Sequence, residues 1–102
     1  MEGKLLAQEA AMVTGAASGI GRGIAIAIAR EGARVALSDI DVDRGEETAA
    51  ALRREGCDAI FMAADLAAPD GAEMLLKNGL DKFGTPSIFV HAASPRRLEA
   101  DN

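Results

Sequence analysis

Glycines at positions 15, 19 and 21 fall between a short apolar run, residues 10–13, and a longer run of small and β-branched residues ending in Arg30-Glu31-Gly32. A chain that leaves a strand, turns tightly and starts a helix against a phosphate needs residues without a Cβ at this spacing. The first glycine permits the turn. The later two let the backbone approach a pyrophosphate and let the helix start lie close on the sheet. A glycine triplet alone is a weak signal, so the surrounding chain has to supply its context.

That context is an alternation of strands and helices. After the glycines, Ile24, Ile26 and Ile28 alternate with alanines, which a strand could also show. The length from Gly19 to Glu31, with Arg30 near the end and Gly32 as a stop, identifies a helix instead. Residues 34–38 form the second strand, closing at Asp39. Residues 41–56 carry Val42, Gly45, Ala49 and Leu52 on one helical face, with Asp43, Glu46 and Glu47 early and Arg53 and Arg54 late, as the helix dipole favours. Gly56 is the stop. Residues 59–63 are a third strand, leading to Asp65-Leu66. Pro69 opens a third helix over 69–83, with Ala72, Leu75, Leu76, Leu80 and Phe83 on one side. Gly84-Thr85-Pro86 breaks it, and residues 87–91 are a fourth strand. A polar lead-in, 1–9, and a polar remainder, 92–102, flank these elements. The order βαβαβαβ implies a Rossmann-like α/β fold over 1–102, a single partial domain with a parallel sheet and helices on both faces. Ligands of such sheets lie outside the carboxyl ends of the strands.

Composition narrows the ligand. A net charge of −5 and a pI near 4.7 argue against nucleic acid or an anionic membrane as the main partner. A phosphate would have to be held locally, by backbone amides and a helix dipole. With 22 alanines and three aromatic residues, close packing of helices on a sheet is favoured over a ring-lined cavity. Cys57, the single cysteine, excludes an internal disulfide and reads as a small buried hydrophobe. No metal spacing, signal peptide, lipidation motif or run of about 18 apolar residues is visible, so a cytoplasmic location is expected.

Asp39 tests the glycine reading. A dinucleotide site needs an acid at the end of the second strand, about 20 residues on, to accept the adenosine ribose hydroxyls. Asp39 stands 20 residues after Gly19. A helix cap or an exposed strand-end acid is the alternative role for it. Its carboxylate would repel a 2′-phosphate, Ile40 rather than a basic residue follows it, and Ser18 precedes Gly19. All three favour NAD over NADP. Arg22 reads as a solvated helix-face arginine.

These residues together resemble the short-chain dehydrogenase/reductases, through Thr14-Gly15-x-x-x-Gly19-Ile20-Gly21 and the acid at Asp39. The resemblance implies a strand order 3-2-1-4 and a nicotinamide dinucleotide held by Gly15, Ser18, Gly19, Ile20 and Gly21 at the pyrophosphate. It puts Asp39 and Ile40 at the adenosine ribose and Asp65-Leu66 at the adenine. His91-Ala92-Ala93-Ser94 stands where the family usually has Asn-Asn-Ala-Gly and keeps only Ala93. A backbone path of Ala92 and Ala93 along the cofactor ribose is implied nonetheless. The family's proton donor is a tyrosine with a lysine four residues later. This sequence has no tyrosine, and its lysines, Lys4, Lys77 and Lys82, all precede the fourth strand. The chain therefore reads as the cofactor half of an oxidoreductase, catalytically incomplete by itself. The alternative is a stand-alone nucleotide-binding or interaction module. His91 reads as a satisfied packing histidine rather than a catalytic one, and Pro95-Arg96-Arg97 as a solvated basic turn. Strand 87–91 would be an open parallel edge, where self-association is expected.

Overall fold

A computed structural model describes residues 5–92, with every side chain but those at positions 80 and 83. Seven elements follow in order: β1 (Ala10–Thr14), α1 (Gly19–Arg30), β2 (Arg34–Asp39), α2 (Val42–Arg54), β3 (Ala59–Ala63), α3 (Gly71–Phe83) and β4 (Ile88–His91). The strands form one parallel sheet in the order β3-β2-β1-β4, as expected. The central strand β1 pairs Thr14 with Ser38 on one side and with His91 on the other. The carboxyl ends of three strands are thereby brought level.

Alternation along the strands sorts the core into two faces. Ala11, Val13, Val35, Leu37 and Ala59 point to one side, where Ala25 and Ala29 of α1 and Ala49 and Leu52 of α2 cover them. Met12, Ala36 and Met62 point to the other, where Leu75 of α3 joins them. Helix α1 touches the sheet through Gly21, Ala25 and Ala29, a stripe of small residues at helical spacing. Ile24, Ile26 and Ile28 flank that stripe, half-buried. Small residues there let the helix axis come close, which fits the alanine-rich composition.

Three expectations need correction. Val42 is 46% exposed, and Thr48 takes the inward place on α2. Its hydroxyl donates to the Arg44 carbonyl, so a polar residue is satisfied within the helix. Pro69 does not open α3, which starts at Gly71. Residues 65–70 instead form turns closed by Ala68 N–H to Asp65 O and Gly71 N–H to Ala68 O. The buried stripe of α3 is Gly71, Leu75 and Gly79, whereas Ala72 and Leu76 face outward. Within the lead-in, Leu6 also packs on the core and its amide donates to the Glu31 carbonyl at 2.9 Å. Ala93 and Pro95-Arg96-Arg97 lie outside the described residues.

Candidate functional site

The glycine turn runs from Thr14 to the first turn of α1. Gly15 and Gly19 take φ of 70° and 60°, the left-handed region open to residues without a Cβ. A Cβ on Gly21 would overlap the Gly15 carbonyl oxygen and come within 3.1 Å of the Ala92 Cβ. The turn, the helix start and the end of β4 are therefore packed against one another at that glycine.

The amides of the turn divide into two sets. Ala16 N–H donates to the Ser38 carbonyl at 3.1 Å, and Ala17 N–H to Asp39 Oδ2 at 3.0 Å. Both are spent on β2. At the start of α1 Ser18 occupies the N-cap position in an extended conformation, but its side chain makes no capping bond. The first helical amides, at Gly19, Ile20 and Gly21, precede the first bond back along the helix, Arg22 N–H to Ser18 O. An uncapped helix start of this kind directs N–H groups and the positive end of the dipole outward.

This helix start opens on a cleft of about 710 Å³ at the carboxyl ends of the strands. Gly15, Ser18, Gly19 and Ile20 line it from the turn, Asp39 and Ile40 from β2, Asp65 and Leu66 from the end of β3, and Ala92 from β4. Nine of the expected site residues thus share one cavity. Gly21 is not at its wall but beneath it, in the close packing described above. Ile20 is 79% exposed and Ile40 53%. Two bare isoleucines facing a cleft are apolar surface that a bound ring system would cover.

Both acids of the cleft also serve the backbone. Asp39 Oδ1 accepts from Asp41 N–H at 2.9 Å while Oδ2 holds Ala17, so the strand-end and ribose-acceptor roles are not exclusive. Asp65 Oδ1 accepts from Ala67 N–H at 2.9 Å and shapes the turn after β3. No lysine or arginine is among the described lining residues. Arg22 is exposed on the helix face, as expected, and its Nε–H donates to Thr48 Oγ1 at 3.1 Å, which ties α1 to α2.

Thr14 and His91 complete the site and were not anticipated as a pair. Thr14 is 1% exposed, and its Oγ1 lies 2.7 Å from His91 Nδ1 and 3.4 Å from the Val90 carbonyl. With one hydroxyl proton, Thr14 donates either to Nδ1 or to the carbonyl. In the second case Nδ1–H donates to Thr14. His91 is satisfied as expected, but it is exposed and lines the cleft instead of packing in the core. Only the register of β1 on β4, which residue patterns do not carry, brings the two together. Among the described residues no cluster of His, Cys, Asp and Glu could hold a metal, and no helix is long and apolar enough to cross a membrane.

Comparison with known proteins points one way. The pattern of the family described as short chain dehydrogenase matches residues 9–101. An uncharacterized oxidoreductase of Thermotoga maritima is 38% identical over 82 residues, which make 80% of this chain and 32% of that protein. A sorbitol dehydrogenase of Cereibacter sphaeroides is 39% identical over 84 residues, 82% of this chain and 32% of that one. Among solved structures, an Escherichia coli hydroxysteroid dehydrogenase superposes with a TM-score of 0.83 at 31% identity, covering 88% of this chain and 38% of its own. An L-sorbose reductase of Gluconobacter frateurii, solved with NADPH and L-sorbose, gives 0.83 at 33% identity, with 90% and 35% covered. The chain spans about a third of the length of these relatives.

Proposed function

This chain belongs to the short chain dehydrogenase family, and we propose that it is the NAD-binding part of an oxidoreductase acting between a carbonyl and an alcohol carbon. The observation that carries the reading is the uncapped start of α1, with Ser18 idle as a cap, opening on the cleft walled by Asp39 and Asp65. In this reading the amides of Gly19, Ile20 and Gly21, with the Ser18 hydroxyl, hold the pyrophosphate. Gly15 gives it room, Asp39 accepts the adenosine ribose hydroxyls beside Ile40, and Asp65 and Leu66 flank the adenine. Ala92, with Ala93 beyond the described residues, follows the second ribose. When bound, the nicotinamide supplies the hydride chemistry. What the chain itself contributes is orientation and charge.

A sequence without tyrosine does not supply the proton donor that the family pattern uses. Loss of a general acid alone costs a factor of roughly 10²–10⁴, so this chain binds cofactor without turning over a carbonyl substrate. A cytoplasmic location and self-association of two copies along the β4 edge belong to the same proposal.

The choice of NAD rests on charge. A 2′-phosphate in the adenosine part of the cleft would meet the Asp39 carboxylate with no basic residue among the described lining residues to offset it. Titration with NADH and NADPH, followed by calorimetry or by reduced-nicotinamide fluorescence, should give NADH at least about tenfold tighter, a difference of about 1.4 kcal/mol. Tighter binding of NADPH would remove the role given to Asp39. Binding of neither would remove the cofactor site.

A further inference from the structure

Resting on the cofactor reading above, we propose that Asp39 is also a positioning residue for the glycine turn, so that its carboxylate supports phosphate binding even when no ribose hydroxyl is there to be bound. The segment Ala16-Ala17-Ser18 is bounded at both ends by glycines in the left-handed region, Gly15 and Gly19. Such residues allow a hinge at each end, and where the segment sits depends on what it is tied to. Its hydrogen-bonded ties to the sheet are two adjacent amides, Ala16 to the Ser38 carbonyl and Ala17 to Asp39 Oδ2. The second is the only one of the two made by a side chain.

The carboxylate is itself held in place. Asp41 N–H donates to its other oxygen, and Ala64 N–H from the end of β3 donates to the Asp39 carbonyl at 3.1 Å. One residue thus joins the ends of β2 and β3 to the turn that starts α1. Ala17 is 3% exposed, so without the carboxylate its amide would be left buried and unpaired. A buried orphan N–H is expensive enough to move a hinged segment toward water. Any shift of Ala17 is passed to Ser18 and on to the start of α1, where Gly19 and Ile20 line the cleft. The competing view is that the buried methyls of Ala16 and Ala17 hold the turn without help.

The two views predict opposite signs for a ligand that lacks the ribose hydroxyls. If Asp39 acts on the ribose alone, removing its negative charge leaves binding of such an anion unchanged or improves it. If Asp39 positions the turn, binding weakens. The test titrates the full chain with ADP and with 2′,3′-dideoxy-ADP, in wild type, Asp39→Ala and Asp39→Asn, and follows amide hydrogen exchange in the same samples. Asp39→Ala should bind dideoxy-ADP about tenfold more weakly, the scale of one lost charge-assisted hydrogen bond. Asp39→Asn, whose single amide oxygen can still accept from Ala17 although its NH2 cannot accept from Asp41, should recover part of that loss. Exchange at Ala17 should accelerate in Asp39→Ala while Val13 and Leu37, in the centre of the sheet, keep their protection. Dideoxy-ADP binding in Asp39→Ala as tight as in wild type overturns the proposal, as does unchanged exchange at Ala17. Should wild type bind neither nucleotide, the cofactor reading fails, and the Ala17 exchange rate still decides whether Asp39 positions the turn.

Discussion

Gly21 sits where three chain segments meet, and its missing side chain is a matter of space rather than of backbone conformation. A methyl there would collide with the carbonyl of Gly15 and crowd Ala92. Both obstacles belong to the site, one being backbone and the other the first residue after β4. Gly21→Ala should therefore cost about 1–3 kcal/mol, the usual range for overpacking, read as a lower urea midpoint with an unchanged slope. A variant as stable as wild type would show that the turn yields. At this scale the glycines and Asp39 were legible in the residues because what they do is local: a positive φ, a tight approach, an acid at a strand end. The tie from Asp39 to Ala17 was not, because it spans 22 residues and depends on how β2 lies beside β1. The bond between Thr14 and His91, 77 residues apart, was hidden for the same reason.

Among the elements, the long periodic ones were readable and the details of facing were not. Helix α2 is capped by Asp41, which accepts from the Arg44 amide at 3.1 Å, and its basic residues stand in the last turn as expected. Helix α3 was misjudged at its start, because Asp65 and its turn occupy the residues that Pro69 seemed to open. A proline suits a first helical turn and a tight turn equally well. Helices α1 and α2 are tied together at their far ends, away from the cleft, by Arg30 and Glu55. The guanidinium donates to both carboxylate oxygens, Nε–H to Oε1 at 3.0 Å and Nη2–H to Oε2 at 2.9 Å. The hydrogen bond from Arg30, and then its charge, hold the Glu55 carboxyl below the usual glutamate range. A carboxyl lowered by folding stabilises the folded state above its unfolded value and loses that contribution as pH falls through the folded one. The gap in unfolding midpoint between wild type and Glu55→Gln should therefore be widest near neutrality and close on acidification below about pH 4, where glutamates protonate. It should also narrow in high salt, since the pair is exposed. A gap that is constant with pH would assign the effect to packing.

Over the whole molecule, the two long edges of the sheet are unequal. The β3 edge is covered on one face by α2, whereas β4 lies at the other edge with Phe89 50% exposed and Leu76 of α3 44% exposed nearby, both lining one apolar groove. Among the described residues no strand pairs with the outer side of β4; an apolar strand at such an edge is a template for pairing, and a second copy offers the same edge. Light scattering at high protein concentration should find an assembly larger than one chain, and Phe89→Lys should return it to a monomer while leaving the circular dichroism unchanged. A monomeric wild type would rule this out.

The position of β4 has a further consequence in time. Among the described strands it is synthesised last and its partner β1 first, and Ala92 N–H closes the ladder on the Thr14 carbonyl at 3.1 Å. A chain emerging from the ribosome has its turn, Asp39 and Asp65 in hand well before His91 and Ala92 exist to wall the cleft. Until then one side of β1 is an empty slot, and contacts across so many residues are the slowest to form. Ligand binding that needs the finished wall would act as a late check that β1 and β4 have found each other.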